Sequence, residues 1–218
     1  MKLPLVLLSL FLNVSLNADA QVLFVPMYDG QTVTENKLLM AADSSRLQVG
    51  MMKGYISQVI FVKDGKVTLE KNSYHLVDFL SGEVVRFNIP SAQYDSIYFT
   101  LGIDSAVQVK GVMGGDLDPS NNMYWTWQSG YIHLKMEGYF SSGTGPDRTF
   151  QYHIGGYRYP DNTCRRVGLP YQQNMIAGID LRKLLNAAAN GPTDIMSPGP
   201  SASRFADHLQ NCFYMLRP

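Results

Sequence analysis

Four histidines, two cysteines and two tryptophans carry most of the chemistry available to this chain beyond packing and ordinary charge. His75, His133, His153 and His208 offer imidazole nitrogens, which ligate transition metals or move protons near neutral pH. No two of them are close enough in sequence to form a local metal motif, so a metal site has to be assembled from separate segments. The signatures G-x-S-x-G, H-E-x-x-H and C-x-x-C and a glycine-rich phosphate loop are absent, and no nucleophile–base pair or acid pair stands out. The chain therefore does not read as an enzyme in its own right. Trp125 and Trp127 lie two apart in MYWTWQSGYIHLKMEG, residues 123–138. Read as a strand, this places Met123, Trp125 and Trp127 on one face and Tyr124, Thr126 and Gln128 on the other. Two indoles filling a sandwich interior and two indoles walling a site fit that pattern alike.

The elements that must position these residues alternate with period two. YISQVIFVKDGKVTLE sets Asp64-Gly65 between two apolar runs, a strong short hairpin signal because both turn positions need positive φ. In EVVRFNIP, Val85, Phe87 and Ile89 alternate with Arg86 and Asn88, and Pro90 ends the strand. SIYFTLGI sets Ile97, Phe99 and Leu101 against Tyr98 and Thr100. FQYHIGGY sets Phe150, Tyr152 and Ile154 against His153, just before Gly155-Gly156, where backbone can approach something closely or simply turn. Several short strands separated by turn signals predict an all-β fold, an antiparallel β-sandwich of Greek-key type.

One or two short helices are expected near the C-terminus. Asp180 caps LRKLLNAAAN, which Gly191-Pro192 stops, and Ser201 or Ser203 caps a helix carrying Phe205, Leu209, Cys212 and Phe213. The same alternation sends His133 to solvent with Tyr131, Lys135 and Glu137, places His75 at the surface or rim, and leaves His208 on the surface. The segment 104–122, containing VMGGDLDPSNN, is the one loop longer than a connection requires.

The first twenty residues, MKLPLVLLSLFLNVSLNADA, read as a secretory signal peptide. Lys2 precedes an apolar run over residues 3–12, and Ala18-Asp19-Ala20 is an A-x-A ending. The remainder, 21–218, is expected to form a single domain, secreted or periplasmic, with no segment apolar enough to cross a membrane. In an exported chain Cys164 and Cys212 read as one disulfide, with two free buried thiols as the alternative. Net charge is zero and Lys and Arg gather in no patch, which argues against a nucleic-acid partner.

The ordered set GYISQVIF, TLGIDS, GDLDP, MYWTWQSGYIHLKMEG and FQYHIGGY resembles the methanobactin-associated copper-binding protein family, the MbnP-like domains. The resemblance runs from about Lys53 to Tyr157. It implies a secreted or periplasmic β-sandwich and, in some members, copper held by a histidine before L-D-P, the first tryptophan of W-x-W and the histidine of H-[IL]-G. A partner di-haem enzyme oxidises that tryptophan to kynurenine, whose aniline nitrogen then binds the metal. Carried over, these positions are Asp116, Trp125 and His153. Asp116 stands where the family motif has histidine, and a carboxylate suits a harder ion than Cu(I). His75 and Met113 are replacement ligands if the fold brings them near. The resemblance thus implies an extracytoplasmic protein for copper acquisition, storage or delivery, and the chain would be that enzyme's substrate. The competing expectation is a secreted module that keeps the fold without the metal. Its partner would be an envelope or outer-membrane protein, met by exposed aromatics at Tyr124, Tyr131, Tyr157 and Tyr159.

Overall fold

A computed structural model describes residues 19–126, 129–143 and 147–216. In chain order its strands are β1 (Asp19–Tyr28), β2 (Gln31–Thr32), β3 (Leu39–Met40), β4 (Arg46–Lys63), β5 (Lys66–Leu69), β6 (Tyr74–Asp78), β7 (Val84–Pro90), β8 (Ser96–Leu101), β9 (Tyr124–Thr126), β10 (Gly130–Ser141), β11 (Arg148–Gly155), β12 (Arg165–Pro170), β13 (Met175–Asp180), β14 (Asp194–Ile195) and β15 (Phe213–Leu216). The helices are α1 (Ser105–Lys110), α2 (Leu181–Ala188) and α3 (Pro200–Gln210).

The strands form the expected sandwich. The smaller sheet runs β15-β13-β1-β2, with β7 also on β1. The larger runs β12-β8-β4-β10-β11-β14, with β3, β5 and β6 on β4 and β9 on β10. Most pairs are antiparallel, but β1 with β13 and β11 with β14 run parallel, so both sheets are mixed. The two inner faces meet through aromatic edges. Phe24 of the smaller sheet packs T-shaped against Phe99 of the larger at 5.5 Å and against Phe79 at 6.1 Å.

Local signals hold where geometry is local. Asp64 and Gly65 have φ of 48° and 73°, and Lys63 pairs with Lys66 across the turn. Phe87 and Ile89 are buried while Arg86 and Asn88 are exposed. Asp180 accepts a hydrogen bond from the Lys183 amide at 2.8 Å, capping α2. The serine cap expected for α3 is not used. That helix starts at Pro200 after Gly199, because proline at the first helical position needs no amide partner. The long segment 104–122 contributes α1, capped by Asp104, and two 3₁₀ turns.

The expected Cys164–Cys212 disulfide is absent, and both cysteines are free thiols. Cys164 Sγ donates to the Ile103 carbonyl and Cys212 Sγ to the His208 carbonyl, each at 3.2 Å, so each thiol is bonded within its own neighbourhood. Burial pushes both thiols up to about 12, which leaves them unreactive near neutral pH.

Candidate metal-binding face

The outward face of the larger sheet is covered by chain rather than water along part of its length. Leu117 and Met123, from the segment after α1, bury with Tyr55, Ile103, Val107, Tyr131 and Ile132 in a second, smaller core. Trp125 packs half-buried against its edge. Trp127 and Gln128 lie outside the described residues, so the predicted two-indole face is described only at Trp125.

This second layer overturns the exposure expected for His133 and Tyr131. Tyr131 is fully buried and donates to the Leu117 carbonyl at 2.9 Å. A register shift in β10 between Ile132 and Leu134 adds one residue against β11 and changes the alternation at His133. Its ring is buried against Gly102, where an added Cβ would stand 2.5 Å from Nδ1. Gln108 Nε2 lies 2.8 Å from His133 Nε2, and Thr163 Oγ1 lies 2.8 Å from Nδ1. Because Gln108 Oε1 accepts from the Tyr131 amide, its NH₂ is the donor to Nε2, which assigns the ring proton to Nδ1. Burial pushes His133 down to about 3, so the ring is neutral, and both nitrogens are occupied within the fold.

His153 has a different setting. It lies on β11 opposite Lys135, and its Nε2 meets Glu137 Oε1 at 2.7 Å. A carboxylate only accepts, so the proton sits on Nε2 and Nδ1 carries the lone pair. Two residues along the same face is Gly155, where an added Cβ would lie 2.8 Å from Trp125 Cζ3. The close approach expected near Gly155-Gly156 is thus made by the indole itself. Gly155→Ala is expected to displace Trp125, lower stability by about 1–3 kcal/mol and shift the intrinsic fluorescence, as read in denaturant titrations.

Asp116 goes elsewhere. Its Oδ2 accepts from the Leu76 amide at 3.0 Å, closing the free edge of β6. Since β4 and β10 stand between β6 and β11, three strand spacings, roughly 14 Å, separate that edge from the strand of His153. Asp116 instead shares a cleft of about 200 Å³ with His75. There His75 Nε2 is 2.7 Å from the buried Glu70 carboxylate. Met113 is exposed, and its amide donates to the Tyr131 hydroxyl at 3.2 Å. Among the described residues no three His, Cys, Asp or Glu side chains gather in a way that could hold a metal ion. The fold therefore brings Trp125 beside the H-I-G strand and sends Asp116 and His75 to another edge.

The MbnP family model matches residues 17–196. The chain belongs to the MbnP family. MbnP from Methylosinus trichosporium is similar in fold, with a TM-score of 0.57 at 15% identity, covering 84% of this chain and 86% of that one. Among curated proteins none matches this sequence significantly.

Sequence reasoning missed two features of this MbnP-family face. Alternation puts Glu137 on the solvent face, where it holds His153. The row Asp78–Lys53–Lys135–His153 crosses four neighbouring strands in register, one residue from each. Alternation shows which way each residue points, but pairing across strands depends on register, which one chain segment does not reveal.

Proposed function

We propose that this MbnP-family protein is an exported copper-binding protein whose metal face is built on His153 and Trp125, and that it acts in copper acquisition, storage or delivery rather than as a catalyst. The observation that carries this reading is the Glu137–His153 hydrogen bond. Histidines that ligate metals commonly donate their other ring N–H to a carboxylate, which fixes the tautomer and aims the free nitrogen. Here that free nitrogen is Nδ1, on the strand against which Trp125 packs. Copper bound there would supply a soft cation for storage or hand-over.

The described side chains fit copper in part. His153 is a suitable ligand, whereas an intact indole has no lone pair to give. Trp125 contributes only once its five-membered ring has been opened to kynurenine, which exposes an aniline nitrogen. A partner di-haem enzyme is the proposed catalyst of that opening, with dioxygen or peroxide as the oxidant and the lost carbon leaving as formate. Asp116, committed to the β6 edge, is not proposed as a ligand. Export is supported by the charged and apolar opening of the chain. Processing after Ala20 leaves Gln21 at the head of β1, still paired with Arg86 and followed by Leu23 opposite Val84. Among the described residues no helix is long and apolar enough to cross a membrane.

A second reading, a secreted interaction module without metal, is favoured by the charge beside His153. Lys135 lies directly opposite on the next strand, and a cation there opposes another cation. One experiment separates the two. Protein purified from its own envelope compartment is expected to carry copper, and its Trp125 peptide to gain one oxygen and lose one carbon relative to the encoded mass. Copper-free protein with an unaltered peptide would establish the interaction module instead.

A further inference from the structure

We propose that the cleft between Lys53 and Lys135 is a binding site for a small dicarboxylate anion. The cleft has a volume of about 160 Å³ and is lined by Met51, Lys53, Asn121, Asn122, Met123 and Lys135. Lys53 and Lys135 occupy directly opposed positions on β4 and β10. Like charges opposite one another on a sheet face repel, so the arrangement costs stability in the free protein. The flanking acids relieve that only in part: Asp78 Oδ2 is 3.7 Å from Lys53 Nζ, and Glu137 Oε1 is 3.8 Å from Lys135 Nζ. Both distances exceed a hydrogen bond, and Glu137 Oε1 is already taken by His153 at 2.7 Å. Neither ammonium has a hydrogen-bond partner among the described residues, although the Lys135 side chain is only 18% exposed.

The rest of the lining contains no acid. Asn121 is committed to the Gly115 and Asp116 carbonyls, while Asn122 is exposed and its side-chain amide can donate. Lys53, Lys135 and Asn122 line a space too small for a drug-sized ligand but suited to a compact anion. Paired side chains on adjacent strands have Cβ atoms about 5 Å apart, so two carboxylates separated by one or two carbons can each meet one ammonium. The Met51 and Met123 thioethers are soft donors in the same lining, but two adjacent ammonium groups disfavour a metal cation there. The anion site goes beyond the copper reading and does not depend on it.

The test uses metal-free mature protein and malonate as the probe, followed by isothermal titration and by NMR of the lysine side chains. Malonate is expected to bind saturably and at least 10-fold more tightly than acetate, with affinity falling as salt rises. Lys53→Met and Lys135→Met should each weaken binding 10-fold or more, and Lys53→Gln should do the same if packing of the methionine disturbs the fold. Lys63→Met, at the exposed hairpin tip, should leave malonate affinity unchanged. Trp125→Phe, which cannot be opened to kynurenine and lies outside this lining, should also retain malonate binding, which keeps this result distinct from the fate of the copper reading. Malonate binding no tighter than acetate, or equal losses in the Lys63 variant, would overturn the proposal.

Discussion

His153→Ala is expected to lower copper affinity by more than about 100-fold, with Glu137→Gln costing about 10–100-fold. The two substitutions separate ligand from orienting group. Removing the imidazole deletes the ligand that Glu137 orients. Replacing Glu137 by glutamine keeps shape and a hydrogen-bond acceptor but removes the charge that strengthens the bond from Nε2 and so holds Nδ1 in its orientation. Competition against a calibrated Cu(I) chelator, on protein in which Trp125 has been oxidised, provides the measurement. Circular dichroism should show the sandwich intact in both variants, because His153 lies on the outward face rather than between the sheets. Equal affinity in wild type and His153→Ala would remove the imidazole from the site altogether.

The second large effect is expected at Glu70. Its side chain is 3% exposed and collects three donors: His75 Nε2 at 2.7 Å, Ser73 Oγ at 2.6 Å and the Asn88 amide at 2.7 Å. The carboxylate ties the β5–β6 connection of the larger sheet to β7 of the smaller. Glu70→Ala strands these donors and leaves a void, and a loss of about 3 kcal/mol is expected in urea unfolding. Burial by itself raises the pKa of Glu70, but the hydrogen bonds from His75 and Ser73, the charge of His75 and the Asn88 amide outweigh it, so the net shift is downward. A depressed carboxylate contributes stability that is fully present above its unfolded value and lost as pH falls through the folded one. Wild type should therefore lose stability below about pH 4, taking the ordinary glutamate value as reference, and Glu70→Ala should show a flatter acid limb. Parallel acid limbs would remove Glu70 as the cause.

What was legible in the sequence was what neighbouring residues decide among themselves. The Asp64-Gly65 turn, the alternation through Phe87 and Ile89, and the Asp180 cap each depend on a few adjacent positions, and all three stand in the fold. Segment-to-segment placement was less legible. His133 reads as solvent-facing from parity alone, yet α1 and the segment after it lie over that face, and the register shift in β10 changes the parity there. Asp116 was placed by its neighbours in L-D-P, but its direction is set by the unpaired amide of Leu76, forty residues away in the chain. The cysteines followed a rule about compartments, which carries no information on where two thiols end up. For the site, the glycines after His153 allow close approach or a turn alike, and the fold uses Gly155 for the approach of Trp125; the role of Glu137 waits on the register between β10 and β11.

β4 runs from Arg46 to Lys63 and pairs with β3, β5, β6, β8 and β10, four of which follow it in the chain. Its later half can close early against β5 and β6, as a local hairpin and its neighbour. Its earlier half must wait for β10, whose last paired residue is Ser141 opposite Arg46. Until that segment has emerged, a long apolar ribbon has an open side, and the loop that must close around it is costly in entropy. Such nonlocal topology folds on the millisecond-to-second scale rather than in microseconds. During that interval the nascent chain depends on protection from aggregation, and mutations that weaken the late pairing act on yield before they act on the finished molecule.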